Sequence, residues 1–286
     1  MNKVEHVLAC QNQLGEGPRW HPGEGCLYWV DIESHQIHRY HPQSEDHTYW
    51  TLDTPIGCLA FRESGGFVLA TGAGFQFWRP GRPLEPIADP EAGKEGARFN
   101  DGAVDPRGRF WAGTLADGET STLYRLDANL EVTRLVDQVT ISNGIGWSPD
   151  HSTLYFTDTL RHSIYAYDFD AESGGISNRR TFVSTEGEEG VPDGLAVDSE
   201  GCVWSARWGG WKVVQYDPDG VAMEEIRMPV EQPTSCTFGG EDLRDLYITS
   251  AWTELPKDAR QRQPLAGDLF RLHVSTPGLP LTFFAA

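Results

Sequence analysis

The chain has no Cys-x-x-Cys pair. Its five cysteines, Cys10, Cys26, Cys58, Cys202 and Cys236, are odd in number and widely spaced. That pattern argues against a disulfide framework or a thiolate zinc site and points to free thiols in a reducing compartment. An apolar run long enough for a secretory leader or a membrane span is also missing, so a cytoplasmic protein is expected. Basic residues are scarce: 23 Lys and Arg stand against 42 Asp and Glu, giving a net charge of −19 spread along the chain. A surface of that sign repels phosphate backbones and anionic headgroups, so nucleic acid and membranes are not expected as partners. No obligate protein partner is evident. No Gly-x-Ser-x-Gly elbow, His-Glu-x-x-His pair or phosphate-cradling glycine loop occurs, which disfavours a serine hydrolase. Long Leu/Ala/Glu/Lys runs are absent, and no helix of three turns is expected.

What the chain does have is aromatic residues (11%) and 31 glycines, a balance that favours strands and tight turns. It also repeats itself. Gly17-Pro18-Arg19-Trp20-His21-Pro22 leads to Leu27-Tyr28-Trp29-Val30-Asp31 and then Ile37-His38-Arg39-Tyr40. The same order recurs from Gly57, Gly102, Gly144 and Gly194, and more weakly from Ser235. The period is roughly 40 to 50 residues, that of propeller blades. Each copy holds three short strands and a looser fourth, such as Thr48–Leu52 or Arg180–Val183. These features predict an all-β fold: one six-bladed propeller over residues 1–286, with four antiparallel strands per blade. The sixth copy lacks a strong fourth strand, and the N-terminal Val4–Ala9 is expected to supply it and close the ring.

The repeat frame also sorts two adjacent turn signals in Arg98-Phe99-Asn100-Asp101-Gly102-Ala103-Val104-Asp105-Pro106-Arg107-Gly108. The hairpin turn is the second, Asp-Pro-Arg-Gly, so the earlier glycine marks the entry to the innermost strand, where blades crowd the axis. The residue before that glycine reads Glu16, Ile56, Asp101, Asn143 and Asp193 across the copies, with Thr234 or Ser235 in the sixth. Equivalent positions in a ring of blades converge on the channel. Glu16, Asn143 and Asp193 should therefore face one small volume, with Asn100 and Asp101 close by. Carboxylates gathered in a narrow channel repel one another unless a cation neutralises them. Oxygen donors suit hard ions such as Ca²⁺, Mg²⁺ or Mn²⁺, and two carboxylates plus one amide leave positions open, as a catalytic metal requires.

LGEGPRW, RFND, ISNGIGWSPD, ISNRR, VPDGLAVDSEG and TSCTFGG stand in that order along the chain. By these phrases the sequence resembles, nearly end to end, the family of senescence marker protein 30 (regucalcin) and the gluconolactonases. The resemblance implies a six-bladed propeller with one divalent cation on its axis and hydrolysis of a sugar lactone. It implies Glu16, Asn143 and Asp193 as metal ligands, Asp193 as the acid/base residue, and Arg98 and Asn100 as substrate-binding residues. The ion expected is Ca²⁺ first, with Zn²⁺, Mn²⁺, Mg²⁺ and Fe²⁺ as alternatives. Family members closest to regucalcin carry a longer loop after the third-blade Gly-Thr, with a glutamate that touches substrate. Here that loop, Leu115–Ser121, is short and offers Glu119 or Asp117. The rival functions are a propeller that binds without chemistry and an organophosphate-hydrolysing relative.

His35, His38, His41 and His47 cluster in the first copy, where alternating strand positions and a loop explain them without zinc. Asp217-Pro218-Asp219-Gly220 is too short for a calcium loop and is expected as a turn.

Overall fold

The computed structural model describes residues 3–286. β1 (Glu5–Leu8) precedes a first sheet of β2 (Gly15–His21), β3 (Cys26–Asp31), β4 (Gln36–His41) and β5 (Asp46–Thr51). The second sheet is β6 (Ile56–Phe61), β7 (Phe67–Thr71), β8 (Gly74–Trp78) and β9 (Glu85–Ala88). The third is β10 (Arg98–Val104), β11 (Phe110–Leu115), β12 (Ser121–Leu126) and β13 (Val132–Val139). The fourth is β14 (Ser142–Trp147), β15 (Thr153–Asp158), β16 (Ser163–Asp170) and β17 (Gly175–Ser184), and the fifth β18 (Val191–Val197), β19 (Val203–Trp208), β20 (Lys212–Tyr216) and β21 (Ala222–Arg227). The sixth comprises β22 (Pro233–Gly239), β23 (Asp245–Ser250) and β24 (Leu269–His273), and its outer strand is β1, antiparallel to β24. The ring therefore closes with the N-terminal strand, as the repeats predicted. Among the described residues helix is confined to one 3₁₀ turn (Thr159–Arg161) and α1 (Lys257–Arg262). Among the described residues no helix is long and apolar enough to cross a membrane.

Strand alternation explains how the sheets join. Phe110 and Ala112 point to the second sheet, whereas Trp111, between them, packs with Trp147 of the fourth. Six hydrophobic clusters result, one in each gap between neighbouring sheets. The Asp105–Gly108 and Asp198–Gly201 segments form the expected hairpin turns, Gly108 N donating to Asp105 O and Gly201 N to Asp198 O. Asp105 accepts from Trp111 Nε1 and Asp198 from Trp204 Nε1, both at 2.9 Å. All five cysteines are unpaired.

Near the axis the blades crowd each other. A Cβ built on Gly57 would lie 2.3 Å from Phe99 O, and one on Gly144 2.8 Å from Asp193 O, so only glycine admits the neighbouring inner strand. The repeats gave no hint of residues 277–286. These cross the hairpin end of the ring, where Ser199 N donates to Pro277 O, Phe284 N to Phe61 O and Ala285 N to Gly108 O.

Candidate active site

The six inner strands share an irregularity at the position the repeats singled out. Pairing with the second strand slips between Glu16 and Arg19, Ile56 and Cys58, Phe99 and Gly102, Ser142 and Ile145, Pro192 and Leu195, and Pro233 and Cys236. Such bulges bend a strand and re-aim its side chains. The residue before each entry glycine stands at this slip; Ile56 packs into the apolar cluster between the first and second sheets, whereas its counterparts are polar. Glu16, Asp101, Asn143 and Asp193 are all buried there.

Burial, then the Asp101 charge, pushes Glu16 up to about 8. Burial, then Glu16 and Asp101, pushes Asp193 well above the carboxylate range, so the three acids share one region of low polarity. Asp193 Oδ1 is buried without a hydrogen-bond partner.

Hydrogen bonds fix the orientation of the amides. Thr159 Oγ1 donates to Pro192 O at 2.9 Å, so its oxygen is left to accept, and it does so from Asn143 Nδ2 at 3.0 Å. Asn143 Oδ1 is thereby turned the other way, and accepts from Asn100 Nδ2 at 3.2 Å. Asn100 Nδ2 also donates to Ser142 O at 2.9 Å, which leaves Asn100 Oδ1 to accept from Arg98 Nη1 at 2.7 Å. The two residues expected to hold substrate are thus wired to one expected to hold metal. Thr159 escaped the sequence reading because it follows β15, outside the repeat that marks the inner strands.

Glu119 lies elsewhere. It sits on the exposed loop after β11 and accepts from Arg161 Nη2 at 2.7 Å, not from Arg98 or Asn100. Asp117, also exposed, uses its carbonyl to accept from Thr120. A cavity of about 880 Å³ lies at the hairpin end of the channel among Val104, Trp147, Val197, Phe238 and Leu281, with Arg19 reaching its lining. Its walls are mainly apolar, and none of Glu16, Asn143 or Asp193 lines it, so its size does not make it the seat of chemistry.

The ring fits a hard divalent cation. Every available donor is an oxygen, one is buried and unpartnered, and the crowding of dehydrated carboxylates is what a cation would relieve. Among the described residues no three His, Cys, Asp or Glu side chains gather to hold a metal. The oxygen groups expected to serve as donors, the Glu16 and Asp193 carboxylates and the Asn143 amide, are all buried.

The model of the family described as SMP-30/gluconolactonase/LRE-like region matches residues 14–252. A 6-deoxy-6-sulfogluconolactonase of Pseudomonas putida is 40% identical over 285 residues, covering 98% of this chain and 97% of that protein. Regucalcin of Danio rerio is 39% identical over 287 residues, covering 97% of each. Among solved structures, a calcium-binding regucalcin from Agrobacterium tumefaciens superposes with a TM-score of 0.96 at 29% identity, covering 100% of this chain and 98% of that one.

Proposed function

The chain belongs to the SMP-30/gluconolactonase/LRE-like family, and on that premise we propose that it hydrolyses a sugar lactone at a divalent cation held by Glu16, Asn143 and Asp193. The observation that carries this reading is Asp193 Oδ1, buried, unpartnered and set among other oxygen donors on the axis. The gluconolactonase-type relative supports a sugar lactone as substrate class, and the calcium-binding neighbour supports the cation, with Ca²⁺ first.

A bound divalent cation supplies Lewis acidity to the lactone carbonyl. Asp193 serves the proton. Its carboxylate takes one from the attacking water as the new C–O bond forms, and returns it to the ring oxygen as the ester bond breaks, leaving an aldonic acid. Arg98 and Asn100 stand on β10 at the mouth of the channel. The Arg98 guanidinium, half-buried and already forked onto Asn100 Oδ1 and Phe99 O, orients the sugar's oxygens above the ring.

Acid release from five- and six-carbon aldonolactones, before and after chelation and with Ca²⁺, Mn²⁺, Zn²⁺, Mg²⁺ or Fe²⁺ returned, tests the reading. Hydrolysis that stops on chelation and returns with one ion supports it. No hydrolysis of any lactone under any ion rejects it in favour of a propeller that only binds.

A further inference from the structure

Asp101 poses a problem for the proposed centre. It occupies on β10 the bulge position that Glu16 holds on β2 and Asp193 on β18, and it is as buried as they are. By position it should be a third carboxylate ligand, giving the ring three negative charges against a divalent ion. One side chain sets it apart. Arg19, three residues beyond Glu16, is buried between the ring and the large cavity. Its Nη1 donates to Pro18 O at 2.8 Å, its Nη2 donates to Gly102 O, and Nη2 lies 3.7 Å from Asp101 Oδ1. Asp101 Oδ1 also accepts from Gly102 N at 2.7 Å, so the oxygen nearest the arginine is held by groups of the channel wall.

We infer that Arg19 is the internal counter-cation of the centre, pairing with Asp101 and so removing it from the ligand set. The inference rests on the divalent-cation reading above. With Asp101 matched to Arg19, the unmatched charge is that of Glu16 and Asp193, minus two, equal and opposite to the ion. Arg98 stands outside this count: its Nη1 donates to Phe99 O and Asn100 Oδ1, and among the described residues it forms no ion pair within 4.0 Å, whereas Arg19 forms one with Asp101. An arginine suits the place because its guanidinium stays charged when buried and has donors enough for two carbonyls and a carboxylate. It also forms the floor that separates the tight polar ring from the roomy apolar cavity.

The experiment uses the whole chain, stripped with chelator, and titrates it with Ca²⁺ and Mn²⁺ by calorimetry; the Tm of the stripped protein is read in parallel. Four forms are compared: wild type, Asp101→Asn, Arg19→Met and the double variant. Asp101→Asn leaves the arginine charge unmatched and should weaken divalent binding about tenfold or more. Arg19→Met leaves a third carboxylate free and should tighten binding by a similar factor, while lowering the Tm of the stripped protein. The double variant should return both readings toward wild type. Single variants that bind as wild type does, or that shift in the same direction, overturn the inference while leaving the metal reading intact. If Arg19→Met does not fold, unchanged affinity in Asp101→Asn overturns it. A wild type that binds no divalent ion removes the metal reading and this inference with it.

Discussion

Two buried polar clusters lie in this propeller, one on the axis and one inside the first sheet, and they differ in how their hydrogen bonds end. In the sheet, Trp29 Nε1 donates to Asn12 Oδ1 at 2.7 Å. That fixes the amide so that Asn12 Nδ2 donates to His38 Nε2 at 3.0 Å. With Nε2 accepting, neutral His38 carries its proton on Nδ1 and donates it to His47 Nε2 at 2.9 Å. The His38 and His47 rings lie edge to edge and nearly coplanar (8°), and both lie against the Trp29 ring, with centroids 4.9 and 5.6 Å from it. The donors Trp29 Nε1, Asn12 Nδ2 and His38 Nδ1 each meet an acceptor. On the axis the amides are equally well ordered, yet Asp193 Oδ1 ends on nothing. Histidines are the commoner metal ligands, but the closed ladder is structural, whereas the open ring is where a ligand has work to do.

The sharpest way to break the comparison is Asp193→Asn. If the open oxygen serves chemistry, lactone hydrolysis falls about 10²–10⁴-fold. The Tm of the metal-free protein should hold or rise, because a buried carboxyl whose charge is disfavoured has become a neutral amide. Near-native rates with metal bound would remove Asp193 from the mechanism.

The ladder should behave in the opposite way. Asn12→Leu strips partners from the buried Trp29 Nε1 and His38 Nε2, at about 1–3 kcal/mol for each group left unmet. Denaturant unfolding should show that loss, and kcat of the folded fraction should stay native. A drop in kcat with unchanged stability would mean that the ladder is not merely structural.

Thr159 and Arg98 sharpen the contrast within the ring. Thr159→Val removes the hydroxyl that turns Asn143, so metal affinity should fall about 10- to 100-fold while kcat at saturating metal stays close to native. Arg98→Ala should lower kcat/KM by about ten- to a hundredfold with metal affinity retained, since charge-assisted bonds to substrate are lost and no metal ligand is touched. Metal titration beside steady-state kinetics on both variants checks the pair of outcomes; identical profiles would erase the distinction between holding metal and holding substrate.

How far these clusters could be read from sequence follows from what a repeat can mark. The buried positions of Glu16, Asn143 and Asp193 at the strand slips were legible because each precedes an entry glycine in a copied phrase, and the same copying gave the blades and the closing strand. The bulges at those residues left no mark beyond the glycine. Arg19 carries a signal of its own: three residues beyond the ring position the other copies have Leu59, Val104, Gly146, Ala196 and, in the sixth, Thr237 or Phe238, and it alone is charged. Its partner Asp101 lies on another sheet, which no pattern local to the first copy can reveal. The closing tail, 277–286, lies outside the repeat and docks through backbone hydrogen bonds, which any sequence can make.

The smallest expected effect separates the clusters by pH. Burial first, then the neighbouring His47, pushes His38 from its ordinary 6.5 down to about 3, with Asp31 opposing weakly. Asn12 and the faces of Trp29 and Tyr49 complete its surroundings, and none of these supplies a charge that would hold a proton on it. A second proton would have to sit on Nε2, against the Asn12 N–H. The fold therefore holds the neutral form while the unfolded chain protonates near 6.5. The ladder's contribution is intact well above pH 6.5 and is lost progressively as pH falls from there toward 3. Between pH 7 and 5.5 the loss from His38 is about 1 kcal/mol, and half-buried His47, also pushed down by burial, adds to it in the same direction. Chemical denaturation at both pH values, on wild type and His38→Gln, measures it. The variant should show the shallower decline; equal declines would mean that the pH response arises outside the ladder.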